Sequence, residues 1–555
     1  MRMSTTNQIS ASVSDVEGTL GAVSPAPTLQ GDHASKSVHH IPEQSHSQKS
    51  YNTGDGELLA TTNNADVLIV DWDGPDDPQN PKNWSYRRKW AATIIISSFT
   101  FISPVSSSMI APATGQVASA FGIDNDVMLA LTTSIFVLAY AMGPLFLGPL
   151  SEIYGRSRVL QLANLWYLVW NLVCGFAQSE SQLLVFRFLA GLGGSAPLSI
   201  GGGFLGDCWE PDQRGRAVAI YSLAPLMGPV VGPITGAWIA QYSTWRWVFW
   251  STCIVDAVIQ IIGMFALQET YAPVLLERKA ERIRRSMDAE KAPYREIRTV
   301  FEGQDRSWQA IMAKSLSRPF VLFAHEPIVQ LLGVYMAYLY GTLYLFLTTM
   351  PSIFQGTYHQ SVGISGLHYA ALGIGLSAAS QLNARTMDKV YMYLKGKNGG
   401  VAKPEFRLRS SYCPNASFLK YSFSVPSAAM VPGSLLLPIG CLIVGWTSEA
   451  HTFWIAPDIG IALVGAGIIL NFQCIQTYIV DCFTLHAASA LAAISCLRSL
   501  AGFGFPLFAP AMYKALGFGK GDTILAVVAI VVGCPAPWIL WRYGERIRNS
   551  SRHAR

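Results

Sequence analysis

The chain has 555 residues, half of them hydrophobic and only 14% charged, with a net charge of +5 and a mean hydropathy of +0.29. Such a balance excludes a water-soluble globule, whose core sits beneath a charged surface. The modest positive charge does not imply a nucleic-acid partner, because it is its distribution along the chain that carries the information.

Residues 1–88 are mostly Ser, Thr, Gly and charge, with no apolar run that could serve as a cleavable signal, and are expected to form a disordered cytosolic tail. Apolar runs of about 18 to 25 residues then recur, the length that roughly 30 Å of hydrocarbon requires of a helix rising about 1.5 Å per residue. Twelve are predicted, near 90–112, 127–148, 159–177, 182–206, 216–240, 245–266, 320–347, 361–383, 432–446, 454–479, 487–514 and 522–541, the ninth being the shortest. The expected fold is therefore all-α and integral to the membrane. Basic residues gather in alternate loops: Arg156 and Arg158, Arg214 and Arg216, a run from Arg278 to Arg318, another from Arg385 to Arg409, and the C-terminal Arg542 to Arg555. The positive-inside rule then puts both termini in the cytosol. The sequons at Asn83, Asn415 and Asn549 fall on that same side and should stay unglycosylated.

Six spans (89–266), a charged cytosolic loop (267–318), six more spans (319–541) and a short tail (542–555) divide the chain into two halves. DCWEPDQRGRAVAI from Asp207 and DCFTLHAASALAAI from Asp481 each close the fourth span of a half, as parallel duplicated halves require. The nine cysteines show no paired spacing and no histidine cluster nearby, so they read as apolar-packed thiols, without a metal.

Between the second and third spans stands GPLSEIYGRSRVL (148–160), a polar turn in an apolar setting. Gly155 permits a tight turn there, and a carboxylate and a guanidinium at a helix mouth can pair with facing helices. The stretch resembles the major facilitator superfamily signature G-x-L-x-D-x-x-G-R-x-x-x-L, matching Gly148, Leu150, Gly155, Arg156 and Leu160, with Glu152 in the Asp position. The resemblance implies two pseudo-symmetric six-helix halves and a latch in which Arg156 pairs with Asp207 while Glu152 faces the positive end of span eleven. Asp481 holds the place of Asp207 in the second half.

VFRFLAGLGGS (185–195) puts Arg187 inside span four, where an unpaired charge costs at least roughly 2.5 to 3.5 kcal/mol, so it should face a partner or a water-filled cavity. It resembles the superfamily's second signature, in which such an arginine is linked to proton movement. LAPLMGPVVGPITGAW (223–238) sets Gly228, Gly232 and Gly236 four apart on one helix face, with Pro229 and Pro233 to bend it. This resembles the G-P-x-x-G-P-x-x-G signature of exporters that work by antiport. DPQNPKNWS (77–85), ETYAPVLLERKA (269–280), HEPIV (325–329), YLYGTLYLF (338–346), PEFRL (404–408), QTYIVDCF (476–483) and RSLAGFGFPLF (498–508) extend the likeness to the fungal drug:proton antiporters with twelve spans. That resemblance implies export of toxins, drugs, polyamines or secondary metabolites from the plasma membrane, driven by protons without a cofactor. About twenty residues at 410–430 depart from it, as either a cytosolic insertion or an untranslated segment retained in the reading frame would produce.

Ionisable residues inside spans are the coupling candidates. Glu326, followed by Pro327 at the start of span seven, matches the family's E-P. Asp256, midway along span six, is either a proton site or an acid paired with Arg187 or Arg498. Asp458, nearer the outer end of span ten, is expected to be solvated at the interface, and His325 to be a hydrogen-bonding residue. Tyr335, Tyr338, Tyr340 and Tyr344 of span seven, with Gln473, Gln476 and Tyr478 of span ten, are candidates to line a cavity by stacking and cation–π contact, although tyrosines so spaced cannot all face one side. Trp245, Trp247 and Trp250 read as an interfacial anchor, with Arg246 reaching toward headgroups. GLGGSAPLSIGGG (191–203) is Gly-rich, but without a preceding strand it is not a phosphate cradle, and no HExxH, GxSxG or Walker-type run argues for an enzyme. The expectation is thus a monomeric, proton-driven exporter of small molecules, with an uptake symporter or a non-transporting sensor of the same fold as alternatives.

Overall fold

In the computed structural model, the described residues are 67–210, 213–286, 296–301, 308–397, 430–483 and 487–551. The atypical stretch at 410–430 lies, but for its last residue, outside them. The first half consists of α1 (Tyr86–Ser108), α2 (Thr114–Phe121), α3 (Asp126–Tyr154), α4 (Arg156–Cys174), α5 (Glu180–Gly194), α6 (Ala196–Cys208), α7 (Arg214–Tyr242) and α8 (Arg246–Ala266). After α9 (Ala272–Ser286) the second half follows with α10 (Trp308–His325), α11 (Pro327–Pro351), α12 (Val362–Leu367), α13 (Tyr369–Lys397), α14 (Met430–Glu449), α15 (Ile455–Cys482), α16 (Ala487–Gly533) and α17 (Pro535–Ser550). Among the described residues, nine segments are long and apolar enough to cross a membrane. One of these, Ala487–Leu540, is two rods broken at Gly517, where φ is +78°. Arg156–Cys174 and Met430–Glu449 have membrane length, with 19 and 20 residues, but are not among the nine.

Expected span four is broken in two at Ser195, which ends α5 and precedes α6, with Pro197 at the start of the second piece. The glycines around the break bring helices together: a Cβ at Gly191 would meet the backbone of Phe136, and one at Gly203 the Arg156 guanidinium. α7 lies against α1 in the same way. A Cβ on Gly228 would stand 2.5 Å from Pro104 Cβ, one on Gly232 2.5 Å from the Val105 carbonyl, and one on Gly236 would enter the Met109 carbonyl. The other flank of α7 meets the second half, where Gly366 of α12 packs on Ala237 and Gly373 of α13 on Val230. Pro225, Pro229 and Pro233 are all accommodated inside α7.

One large apolar core built on α11 takes in the second half and reaches Val137 and Val230 of the first, whereas the rest of the first half divides into separate clusters around Phe99 and Trp209, around Val117 and Trp245, and around Phe136 and Tyr167. Buried Asn164, Asn171, Arg187 and Asp256 lie among these clusters and interrupt them, because each needs polar partners that an apolar cluster cannot supply.

The segment before α1 corrects the expectation of a disordered stretch up to residue 88. Strand β1 (Val67–Val70) pairs in parallel with β2 (Glu296–Thr299), Val67 opposite Glu296 and Val70 opposite Thr299. Lys279 on α9 reaches Asp73 Oδ1 at 2.6 Å across 206 residues of sequence. Asp77 accepts hydrogen bonds from the backbone N–H groups of Asp73 (3.0 Å) and Gln79 (2.8 Å). Burial pushes the Asp77 carboxyl up, but those two donors and the Lys279 charge outweigh it and hold the group below the usual carboxylate range. A lowered folded value contributes stability that is present above the ordinary Asp range and lost as pH falls through the folded value, so this collar is fully held at neutral pH. Asp77→Ala is expected to speed amide exchange across 67–83 by about tenfold at pH 7. Unchanged exchange there would show that Asp77 does not hold the segment.

Candidate functional site

Three turns meet at the face that carries Arg156. Gly155, at φ +101°, ends α3 and starts α4, a conformation that side chains with a Cβ rarely adopt. The chain then presents Arg156, whose Nε lies 2.5 Å from Asp207 Oδ2 at the end of α6 and whose guanidinium covers the Tyr271 ring at 4.9 Å. Its backbone N–H donates to Glu269 Oε1 at 2.9 Å, and the same oxygen accepts from the backbone N–H groups of Thr270 and Tyr271, each at 3.0 Å. Glu269 is thus a buried carboxylate at the N-terminus of α4, where a helix dipole favours negative charge. Glu152, expected to reach span eleven, is instead exposed and makes no hydrogen bond or ion pair among the described residues, because the α3 C-terminus turns its side chain outward. Gly148, beside it, faces open space. Asp481 lies half-buried in the last turn of α15, and residues 484–486 beyond it are outside the described residues.

Midway through the helices, a polar strip crosses from one half to the other. Arg187 on α5 is 1% exposed. Its Nη2 donates to the carbonyls of Ser107 (3.0 Å) and Thr133 (3.4 Å), and its guanidinium lies over Phe136 and Phe249 at 5.3 and 5.6 Å. Ser107 Oγ and Tyr344 Oη of α11 are 3.1 Å apart, joining the halves. The Tyr344 ring lies 5.1 Å from that of Tyr340, and Tyr340 is covered in turn by the Arg498 guanidinium of α16 at 4.9 Å. Tyr140 of α3 hydrogen-bonds Ser103 at 2.6 Å and packs its ring against that of Phe136 at 5.3 Å.

The candidate acids do not converge on this strip. Asp256 is fully buried and accepts hydrogen bonds from Asn164 Nδ2 at 3.1 and 3.0 Å, in a cluster completed by Gln260. Its expected pairing with Arg187 or Arg498 is corrected: α8 presents it to α4, whose Asn164 occupies the place of a counter-ion. Glu326, 2% exposed, is the joint between α10 and α11, with Pro327 opening the second helix, and so precedes the apolar span. His325 bonds the Val321 carbonyl one turn back. Asp458, in the first turn of α15 and 17% exposed at its side chain, is also paired: both its oxygens lie 2.8 to 2.9 Å from His368 Nδ1, and His368 is stacked on Phe354 at 3.6 Å. Asp522 lies outside the set of sequence candidates. It is fully buried, accepts from Tyr513 Oη at 2.5 Å, and its Oδ2 has no hydrogen-bond partner among the described residues. Its place inside an apolar run was the available signal.

Two tyrosines expected at a cavity are structural. Tyr335 Oη bonds Ser434 Oγ at 3.1 Å and Tyr338 Oη donates to the Leu525 carbonyl at 2.6 Å, so this face of α11 is committed to α14 and α16. Tyr340 and Tyr344, four apart, take the opposite stripe toward the first half. Gln473 bridges Ser380 and Asn383 of α13, each at 2.7 Å, while Gln476 is half-buried and Tyr478 fully buried in α15. Arg246 does not reach outward. It donates to the carbonyls of Gly175 (3.1 Å) and Ala177 (2.9 Å) past the end of α4 and covers Trp245 at 4.5 Å, since those chain-end carbonyls lack helical donors. Of the three tryptophans Trp245 is buried and Trp247 exposed, and Trp250 packs against Gly175.

A sequence profile described as the Major Facilitator Superfamily matches residues 96–506. The efflux pump vrtL of Penicillium aethiopicum is 44% identical over 489 residues, covering 88% of this chain and 92% of its own. The MFS-type transporter penM of Penicillium rubens is 41% identical over 487 residues, 88% of this chain and 91% of its own. Among solved structures, the partially occluded inward-open xylose transporter XylE of E. coli superposes with a TM-score of 0.59 at 14% identity, covering 82% of this chain and 98% of that one, a likeness of fold. The chain belongs to the major facilitator superfamily, in its branch of fungal transporters.

Proposed function

We propose that this protein exports an amphipathic organic compound, a secondary metabolite or drug, by alternating access of its two six-helix halves. The observation that carries a transport site is the polar strip from Arg187 through Ser107 and Tyr344 to Tyr340 and Arg498, which joins the halves at mid-span through side chains that rearrange at little cost. The outward direction draws on the efflux pump of Penicillium aethiopicum and on the α7 glycine face seated on α1. The reading includes inward proton flow as the driving force without a cofactor or enzymatic step, a monomer in the plasma membrane, and both termini in the cytosol. Arg156, Asp207 and Glu269 form the latch on the cytosolic face. Asp256 and Glu326 are the coupling acids: both are buried, and Asp256 meets the neutral amide of Asn164 rather than an ion-pair partner among the described residues.

The test is efflux of a compound panel from cells expressing the chain, with and without a protonophore, beside Asp256→Asn and Glu326→Gln. Export that collapses with the protonophore, and at least about tenfold with one of the two variants, supports the reading. Inward movement of the same compounds points to a symporter, and no movement despite membrane delivery points to a sensor.

A further inference from the structure

The strip is cationic at both ends. Arg187 leaves Nε and Nη1 without hydrogen-bond partners among the described residues, and it is almost completely enclosed. Arg498 likewise has a buried Nε without a hydrogen-bond partner, is half-buried, and lies between the rings of Tyr340 at 4.9 Å and Phe472 at 5.2 Å. Neither guanidinium stands in an ion pair among the described residues, and Asp256, a buried acid of the first half, accepts from Asn164 instead. A guanidinium is always charged and carries five donors in a fixed fork that matches a carboxylate. Held only by ring faces and carbonyls, it keeps most of that fork free for a ligand.

Resting on the export reading, we propose that the substrate is an organic anion: a planar aromatic body bearing a carboxylate or phenolate. Its acid group takes the fork of Arg498, and its ring lies along Tyr340 and Tyr344. Arg187, on the far side of Ser107, makes the whole strip attractive to negative charge and repels cations. Arg498 belongs to the second half and Ser107 to the first, so an anion bound between them is held by both halves at once.

The test uses two probes with one ring system and opposite charge, fluorescein and rhodamine 123, on the full-length chain in lipid nanodiscs and in cells. Fluorescence anisotropy reads binding and efflux reads transport, so the two readings fail separately. Preferential binding of fluorescein, weakened about tenfold or more by Arg498→Gln and less by Arg498→Lys, supports the proposal. Tyr340→Leu, which removes the ring and leaves the charge, should weaken both arms of fluorescein recognition while the protein still folds. Preferential binding of rhodamine 123, binding of neither probe, or equal weakening of both by Arg498→Gln would overturn it. Fluorescein that binds but is not exported would leave the anion site standing and remove the export reading.

Discussion

Gly236→Val is expected to abolish transport and to lower the thermal midpoint of the solubilised chain by roughly 5 °C. At this position a Cβ enters the Met109 carbonyl of α1, and its further neighbours are Met109 C and Cγ at 2.9 Å. Backbone cannot rotate away as a flexible side chain can, so α7 must separate from α1 along its length. The separation would carry Pro233 and Ala237 away from Gly366, and with them the contact between α7 and the second half. Gly202→Val is the matched control, because a Cβ there meets nothing within 4 Å. Melting by tryptophan fluorescence and efflux of any exported compound check the pair. A Gly236→Val protein that transports as well as Gly202→Val would show that α1 and α7 do not need their close approach.

That glycine face was legible in the sequence because a period of four on one helix is local information, and the α1 backbone needs only a smooth partner. The same is true of Gly155, whose positive φ is a property of its own turn. Glu269 was not legible as the cap of α4. It stands 113 residues from Arg156, in a polar stretch whose role depends on where α8 ends. The pairing of β1 with β2 was hidden for the same reason, since neither VLIV nor EIRT is long enough to announce a strand without its partner. On α11 the sequence showed four tyrosines but not their directions. Spacing separates Tyr335 and Tyr338, three apart, from Tyr340 and Tyr344, four apart, and only the packing of α14 and α16 decides which pair is structural. Asp256 shows the limit most plainly: depth in a span was readable, whereas a neutral amide standing in for the counter-ion was not.

Glu269→Ala is expected to lower transport by about tenfold to a hundredfold and to reduce stability by roughly 2 to 3 kcal/mol. One carboxylate oxygen receives three backbone N–H groups there, and the residue is only 8% exposed, so its removal strands buried donors rather than returning them to water. The consequences extend to the neighbouring ion pair. Arg156 begins α4 through the N–H that Glu269 accepts, and its guanidinium is positioned between Asp207 and the Tyr271 ring by the same turn. Losing the cap therefore loosens the Arg156–Asp207 contact, which is 13% and 21% exposed at its two side chains and gains correspondingly more from geometry than a solvent-exposed pair. Glu269→Gln retains an acceptor oxygen without the charge and should recover part of the loss. The decisive measurement is a double-mutant cycle between Glu269→Ala and Arg156→Gln, read as transport rate per molecule delivered to the membrane. A shared latch requires the double variant to be less impaired than the sum of the singles by at least about 1 kcal/mol, since either change alone already opens the contact. Strict additivity, or losses confined to membrane delivery with an unchanged rate per molecule, would reduce the cluster to an anchor of topology.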